Sequence, residues 1–298
     1  MLSSAIRSEI NDLRSDIDLR VITRAEVDLR DAAATRIVID EIKPDVIVHA
    51  AARVGGIAAN MADPTGYLLD NLLIDTSVLS VAIARRVPEL LYIGSSCMYP
   101  KDYRQPLVES DVLAAPLEPT NEGYALAKIS GSRLCQSASE QYGLAFRTIV
   151  PSNLYGPHDD FSLDRGHLVA AAIAKTHAAK VSGSPHVDVW GDGMARREFT
   201  YVKDLSRWIT GVLGGLVSLP PLLNVGCGYD RSVREFYELA RDVVGYDGDF
   251  RFDISRPAGM HQKLMDSTLA RSFGWAPETT LVTGMSEAYS HYLRTLGG

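Results

Sequence analysis

The sequence predicts an α/β fold in which a parallel β-sheet carries helices on both faces. Apolar runs of strand length alternate with helical segments over the first 160 residues. The runs at 45–51 and 90–96 are apolar without polar alternation, which is typical of parallel strands buried on both faces. A chain of 298 residues is long enough for such a sheet and a second, smaller part.

The elements of the N-terminal half follow one another as helix and strand in turn. Helices are predicted over 4–14, 31–43, 65–86 and 122–142. Strands are predicted over 18–23, 45–51, 90–96 and 145–157. Pro44 ends the second helix, because proline cannot continue a helical ladder. This alternation predicts crossover helices between parallel strands, with ligands bound beyond the carboxyl ends of those strands.

Beyond residue 160 the alternation weakens. Short strands are predicted at 186–191, 197–202, 222–226 and 249–254, and helices at 165–180, 204–215, 232–245 and 281–295. We therefore predict a dinucleotide-binding domain over 1–160 and a mainly substrate-binding α/β domain over 161–298.

Composition excludes some classes of function. A net charge of −7 leaves no basic excess for general nucleic-acid binding. No apolar run is expected to span a membrane, and the N-terminus lacks the pattern of a signal peptide. Cys97, Cys135 and Cys227 form no CxxC pair, so we expect neither a disulfide framework nor a metal site, and a reducing cytoplasm.

Tyr124 and Lys128 are the first candidates for chemistry. They are four residues apart on a predicted helix and so share one face. A nearby lysine cation lowers the pKa of a tyrosine from its usual value of about 10, so that the phenol can exchange a proton near neutral pH. The preceding strand ends in Ser95 and Ser96. Ser95 could bond the oxygen that Tyr124 serves, and capping of the strand end is the alternative for both serines.

Five segments extend this pattern along nearly the whole chain. They are "AARVGGI" (51–57), "GSSCMYP" (94–100), "LEPTNEGYALAKISG" (117–131), "PSNLYGPHDDF" (151–161) and "VWGDGMARREF" (189–199). Together they resemble the extended short-chain dehydrogenase/reductase family. The resemblance implies a Rossmann-like fold, an NADP cofactor and a nucleotide-sugar substrate.

The resemblance implies a reaction in two stages. C3 and C5 of GDP-4-keto-6-deoxy-D-mannose are inverted, and the C4 ketone is then reduced with NADPH to give GDP-L-fucose. Ser95 and Tyr124 would stabilise the enolate oxygen, and Cys97 and His167 would exchange the protons. Lys128 would tune Tyr124 and hold the cofactor ribose. The residues alone also fit a small, buried structural Cys97 and a helix-capping or surface His167.

The resemblance also assigns binding residues. Lys175, Trp190 and Arg197 would contact the nucleotide sugar, although Trp190 is also consistent with core packing. Arg24 follows the strand predicted at 18–23, which corresponds to the second strand of relatives, where a basic residue suits the 2′-phosphate of NADP. The implied cofactor contacts are Arg24, Asp28, Leu29, Ser95, Ser96, Lys128, Pro151, Ser152, Asn153, Leu154 and His167.

Two departures from the family pattern are visible. Relatives carry a strand and a glycine-rich turn that holds the pyrophosphate before the first helix, whereas "MLSSAI" aligns with the end of that turn and has Ser3 in place of a glycine. We therefore expect the first strand of the sheet to be missing from these 298 residues, and the natural product to start further upstream. Ala258 replaces a substrate-contacting acidic residue, which makes the preferred sugar or nucleotide less certain than the reaction class.

Two alternatives stay open at this level. One is a related nucleotide-sugar epimerase or dehydratase, although dehydratases carry an acidic residue where this chain has Ser96 and Cys97. The other is an inactive homologue that only binds a sugar nucleotide. Relatives pair two long helices from each subunit, so we expect a homodimer through 65–86 and 122–142.

Overall fold

The computed structural model describes residues 1–163, 166–255 and 260–297. The helices are α1 (Leu2–Leu13), α2 (Ala32–Ile42), α3 (Ile57–Ala62), α4 (Pro64–Ala84), α5 (Glu122–Tyr142), α6 (Leu168–Ser182), α7 (Val202–Val212), α8 (Val233–Val244), α9 (Thr268–Arg271) and α10 (Leu281–Leu296). The strands are β1 (Val46–His49), β2 (Glu89–Ile93), β3 (Ala145–Pro151), β4 (Asn153–Tyr155), β5 (His186–Trp190), β6 (Arg196–Arg197), β7 (Phe199–Tyr201), β8 (Leu222–Val225), β9 (Arg231–Ser232), β10 (Asp249–Asp253) and β11 (Gln262–Lys263).

The largest sheet is parallel and has the strand order β1-β2-β3-β8. Val46 lies opposite Glu89, and Glu89 lies opposite Ala145 on its other side. Because the three strands run in the same direction, their carboxyl ends meet at one edge of the sheet. The Rossmann-like α/β fold predicted from the sequence is confirmed.

Helices cover both faces of this sheet. Leu90 and Tyr92 of β2 are buried on the face that packs against α2, α4 and α5. Leu91, between them, is buried on the opposite face against α1 and α7. Successive side chains of a strand point to opposite faces, so a strand covered on both sides must be apolar at every position. This explains the unbroken apolar runs.

One predicted strand is absent. Residues 18–23 lie in irregular backbone, so the strand predicted there was wrong. Leu19 packs partly buried against the α1 and α7 side of the core, which accounts for the apolar pattern. In the described part of the chain β1 is an edge strand with β2 as its partner. An apolar run predicts burial, but a strand also needs a neighbour to pair with.

The C-terminal part has a core of its own. β5 pairs in parallel with β10, and residues of α6, α8 and α10 pack around this pair in one apolar cluster. The fourth strand of the large sheet, β8, and the helix α7 also come from this part of the sequence. The division at residue 160 therefore stays a prediction.

Helix α4 is long and apolar. It has 21 residues, and the mean hydropathy of its most apolar stretch, called the window below, is 1.4. By length and composition alone this is enough to cross a membrane. On that criterion the prediction that no run reaches this length was wrong. However, 44% of the window is buried in the structure, and α4 buries Asn71 and Asp75 among its inward residues. These are features of a core helix.

Candidate active site

The end of β2 places the first site residues. The strand ends at Ile93, and a short 3₁₀ turn over Ser96–Met98 follows. The Ser95 hydroxyl accepts a hydrogen bond from the Cys97 backbone N–H at 3.2 Å, so it does cap this turn. Ser96 is buried, whereas Ser95 and Cys97 are partly exposed. The turn thus presents Ser95 and Cys97 at the carboxyl edge of the sheet.

Helix α5 carries the tyrosine and the lysine. Its bounds, Glu122–Tyr142, coincide with the helix predicted from the sequence. Tyr124 is half-buried and lies close enough to Ser95 and Cys97 for both to influence its titration. Lys128, one turn further into the protein, is only 2% exposed. Ser95, Cys97 and Tyr124 therefore converge, with Lys128 beneath them.

The electrostatic state of Tyr124 differs from expectation. Burial and then the neighbouring Cys97 raise its pKa well above the usual value, while the hydrogen bond with Ser95 opposes the rise. The expected lowering by Lys128 is not what governs Tyr124 in this structure. The lysine ammonium instead lies 3.7 Å from Asp75. In this state the phenol is protonated near neutral pH and is suited to act as a proton donor.

Asn121 is a neighbour of Cys97 that sequence reasoning missed. Its Nδ2 donates to the Cys97 Sγ at 3.1 Å. Its Oδ1 is buried without a hydrogen-bond partner among the described residues. This hydrogen bond holds the Cys97 side chain at the carboxyl edge of the sheet. The position of Asn121 three residues before Tyr124 was the one available signal.

His167 precedes α6 as its N-terminal cap residue and is exposed. Its side chain makes no capping hydrogen bond in the described structure, so of the two structural alternatives its exposed position fits a surface histidine. Asp159 is a neighbour: burial raises the pKa of this carboxyl, and the charge of His167 opposes the rise. Residues 164 and 165, just before His167, lie outside the described residues. Its catalytic role stays a prediction.

Contacts are known for each of the three predicted substrate residues. The Lys175 Nζ lies 6.0 Å from the centroid of the Trp190 ring, and Trp190 is 50% exposed, which argues against core packing. Burial lowers the pKa of Arg197, and the nearby Glu118 opposes the change. Because Glu118 begins the loop that carries Asn121, Arg197 approaches the same edge as Tyr124. Ala258 lies outside the described residues.

The predicted adenine-side residues lie in the loop before α2. Arg24 is exposed in a turn closed by the Glu26 carboxylate, which accepts from the Thr23 backbone N–H at 2.9 Å. The Asp28 carboxylate is held by Arg30 at 2.6 Å, which lowers the pKa of Asp28 to about 2. Leu29 packs partly buried beside the α4 and α5 core. This loop therefore presents a cation, but the Asp28 side chain already has a partner.

Most side chains of residues 151–154 point into the protein. Pro151 and Ser152 are buried, and the Ser152 hydroxyl lies 2.7 Å from Thr200 Oγ1. Asn153 Nδ2 donates to the Glu198 carbonyl at 3.0 Å, and Leu154 packs against the core. These residues can therefore contact a cofactor mainly through their backbone atoms.

A tyrosine and a lysine one turn apart on a helix, beside a serine and a cysteine at the end of a parallel strand, are residue types that can exchange protons at a carbonyl. The chain belongs to the NAD dependent epimerase/dehydratase family, which matches residues 4–226. It is 42% identical to the GDP-L-fucose synthase of Azorhizobium caulinodans over 94% of this chain and 90% of that protein.

Two further similarities bear on the substrate. The chain is 39% identical to the GDP-L-colitose synthase of Yersinia pseudotuberculosis, over 90% of this chain and 87% of that protein. The solved structure of a GDP-mannoheptose C4 reductase from Campylobacter jejuni with NADP bound is 28% identical and superposes with a TM-score of 0.89, covering 98% of this chain and 95% of that one.

Proposed function

We propose that the chain is an NADPH-dependent epimerase/reductase that converts GDP-4-keto-6-deoxy-D-mannose to GDP-L-fucose. The observation that carries the proposal is the convergence of Ser95, Cys97 and Tyr124 at the carboxyl edge of the sheet. The similarity to GDP-L-fucose synthase over nearly the full chain supports the choice of substrate. The free cysteines and the absence of disulfides among the described residues favour a reducing compartment such as the cytoplasm.

Epimerisation needs a base, an acid and a stabilised enolate. A proton next to the C4 ketone is removed, the enolate oxygen is held, and a proton returns on the opposite face. Tyr124 donates to that oxygen as a neutral phenol and Ser95 adds a second donor. Cys97, supported by the Asn121 N–H, exchanges the proton on one face, and His167 exchanges it on the other.

Reduction uses Tyr124, Lys128 and Ser95 of the same site. When bound, NADPH supplies the hydride that adds to C4. The ketone oxygen gains a negative charge as the hydride arrives, and Tyr124 transfers its proton to that oxygen. Lys128 supports Tyr124 after it has lost its proton, because a nearby cation stabilises the phenolate. Ser95 holds the oxygen in place throughout.

The residues present fit a phosphorylated dinucleotide. Arg24 is exposed beyond the irregular segment 18–23, where it can meet a 2′-phosphate. Helix α1 has no acidic residue in its first turn and no side-chain cap, so its first N–H groups suit the pyrophosphate. Asp28, Leu29, the backbone of 151–154 and Lys128 complete the proposed cofactor contacts.

We expect calorimetry to show that NADPH binds about tenfold or more tightly than NADH, since a charge-assisted phosphate contact has this magnitude. Arg24→Gln should remove most of that preference. Arg20→Gln is the matched control, because Arg20 is an exposed cation paired with Glu26, and it should leave the preference unchanged. Equal binding of both cofactors, or no binding by the folded chain, would count against the NADPH assignment.

A second candidate is the same reaction class on a different GDP-linked sugar. The similarity to GDP-L-colitose synthase favours it, as does the segment "PAGMHQK" (257–263), in which Ala258 replaces the acidic residue of relatives. Within that segment Gln262 is held by Asp230 at 2.6 Å and Met260 is buried, so neither side chain replaces the acidic contact of relatives. Comparing rates with GDP-linked 4-keto sugars that differ at C3 separates the two candidates.

We also propose a homodimer formed by α4 and α5, which pack against each other. Leu69, Leu73 and Leu126 are 53%, 39% and 38% exposed on these helices, and Leu69 and Leu73 lie one turn apart on one stripe. Such a stripe is typical of an interface.

Light scattering should therefore give twice the chain mass of 32.5 kDa. Replacing Leu69 and Leu73 together by glutamate should give monomers, because the two charges would be buried without partners. Leu293→Glu, at a comparably exposed leucine on α10, should leave the dimer intact. A monomeric native chain contradicts the proposal.

A further inference from the structure

A buried polar cluster lies directly behind the proposed catalytic groups. Asp75 of α4 is 2% exposed, and its Oδ1 lies 2.9 Å from the Nε2 of His49 in β1. The Tyr92 hydroxyl of β2 donates to its Oδ2 at 2.5 Å. His49 and Tyr92 are 3% and 0% exposed. Three polar side chains in otherwise apolar elements are thus completely removed from water, which requires that they satisfy one another.

The cluster ends at Lys128. The lysine Nζ lies 3.7 Å from Asp75 Oδ1 and 4.6 Å from the centroid of the Tyr92 ring. At Gly131, one turn further along α5, an added Cβ would lie 2.4 Å from the Tyr92 hydroxyl oxygen. The glycine therefore allows α5 to approach β2 closely. This approach brings the ammonium against both the carboxylate and the ring.

The charges in the cluster depend on one another. Burial raises the pKa of Asp75, but the His49 hydrogen bond and the charge of Lys128 outweigh it, so that the pKa lies below its usual value. Burial lowers the pKa of Lys128, and Asp75 is the main group that opposes this change, with a smaller effect from Cys135. The titratable groups that face the pair are His49 from β1, Tyr92 from β2, and Tyr124 and Cys135 from α5.

We propose that Asp75 is a positioning residue of the active site: its buried carboxylate fixes the Lys128 ammonium and keeps it charged, while His49 and Tyr92 fix the carboxylate. A buried lysine without a counter-charge gives up its proton to escape the cost of desolvation. A neutral lysine could no longer stabilise the Tyr124 phenolate. Only this last consequence rests on the proposed function.

The test is the titration of Lys128 itself, followed by NMR in protein labelled with ¹³C at the lysine Cε. The resonance is assigned by its loss in Lys128→Arg. In Asp75→Asn, which keeps the shape of the side chain, the titration midpoint of Lys128 should fall by about one pH unit or more. Asp70→Asn is the control, because it removes a carboxylate of the same helix that pairs with Arg30 and Arg53. In that variant the Lys128 midpoint should stay within about 0.3 unit of the native chain. A midpoint in Asp75→Asn equally close to the native one would overturn the proposal.

A second measurement, of melting temperature, tests the charge pair even if Asp75→Asn destabilises the fold. Asp75→Asn leaves a buried cation without a partner, whereas the double variant Asp75→Asn, Lys128→Met removes both charges. The double variant should therefore recover at least half of the melting temperature that the single variant loses. No recovery would contradict a charge pair between the two residues. Neither readout uses substrate, so a failed activity assay would refute the proposed function without affecting this inference.

Discussion

Tyr124→Phe should reduce the rate of NADPH oxidation with the 4-keto sugar by about 10²- to 10⁴-fold, the usual contribution of a positioned acid or base. The phenol is the proposed proton donor to the ketone oxygen, and its raised pKa keeps it protonated until the hydride arrives. Phenylalanine fills the same space without the hydroxyl. The fold should therefore survive, and NADPH affinity should change little.

The control for Tyr124→Phe is Tyr142→Phe at the end of the same helix, where the ring is 41% exposed. That variant should keep the native rate. Stopped-flow measurement of a single turnover separates hydride transfer from product release. A Tyr124→Phe enzyme within about threefold of the native single-turnover rate would contradict the assigned role.

Cys97→Ser should impair epimerisation far more than hydride transfer. A serine hydroxyl accepts from Asn121 as sulfur does, but it does not ionise near neutral pH, so it cannot act as the base. Exchange of the C3 and C5 protons with D₂O should slow by about 10²- to 10⁴-fold. Hydride transfer to the ketone should fall much less. Equal loss of both activities would count against a proton-transfer role for Cys97.

Asn121→Ala gives an intermediate case. It keeps the thiol and removes the N–H that bonds to sulfur, so the rate at which iodoacetamide alkylates Cys97 at a fixed pH should fall below that of the native chain. The other two cysteines should not interfere: both are buried, and burial raises the pKa of Cys135 and of Cys227 to about 12. An unchanged alkylation rate would mean that the Asn121 contact does not affect the thiol.

The part of the fold that local patterns determine was predictable. Helix α5 has the predicted bounds because apolar positions recur at helical spacing, and β2 and β3 are apolar runs of strand length. Residues 18–23 show the limit of this reasoning. Their apolar side chains indicate burial against α1 and α7. Whether a buried segment forms a strand depends on a pairing partner that is remote in sequence.

The site was predictable only where residue type and spacing coincide with a motif. Tyr124, Lys128 and Ser95 were proposed in this way, and their catalytic roles stay predictions. The effect of Lys128 on Tyr124 was not predictable, because the carboxylate that holds the lysine comes from another helix. His49, Asp75 and Tyr92 lie in three separate elements, each reading as an ordinary core segment. The available signal was a charged residue within the apolar helix α4, whose partners only the fold reveals.

The most direct measurement is the pattern of deuterium in the product. The chain is incubated in D₂O with GDP-4-keto-6-deoxy-D-mannose and NADPH, and the product is examined by NMR. We expect GDP-L-fucose with deuterium from solvent at C3 and C5. C4 should carry hydrogen from unlabelled NADPH, and deuterium when NADPH deuterated at the transferred position is used. Reduction without solvent label at C3 and C5, or no reaction by a folded chain that binds NADPH, would contradict an epimerase/reductase.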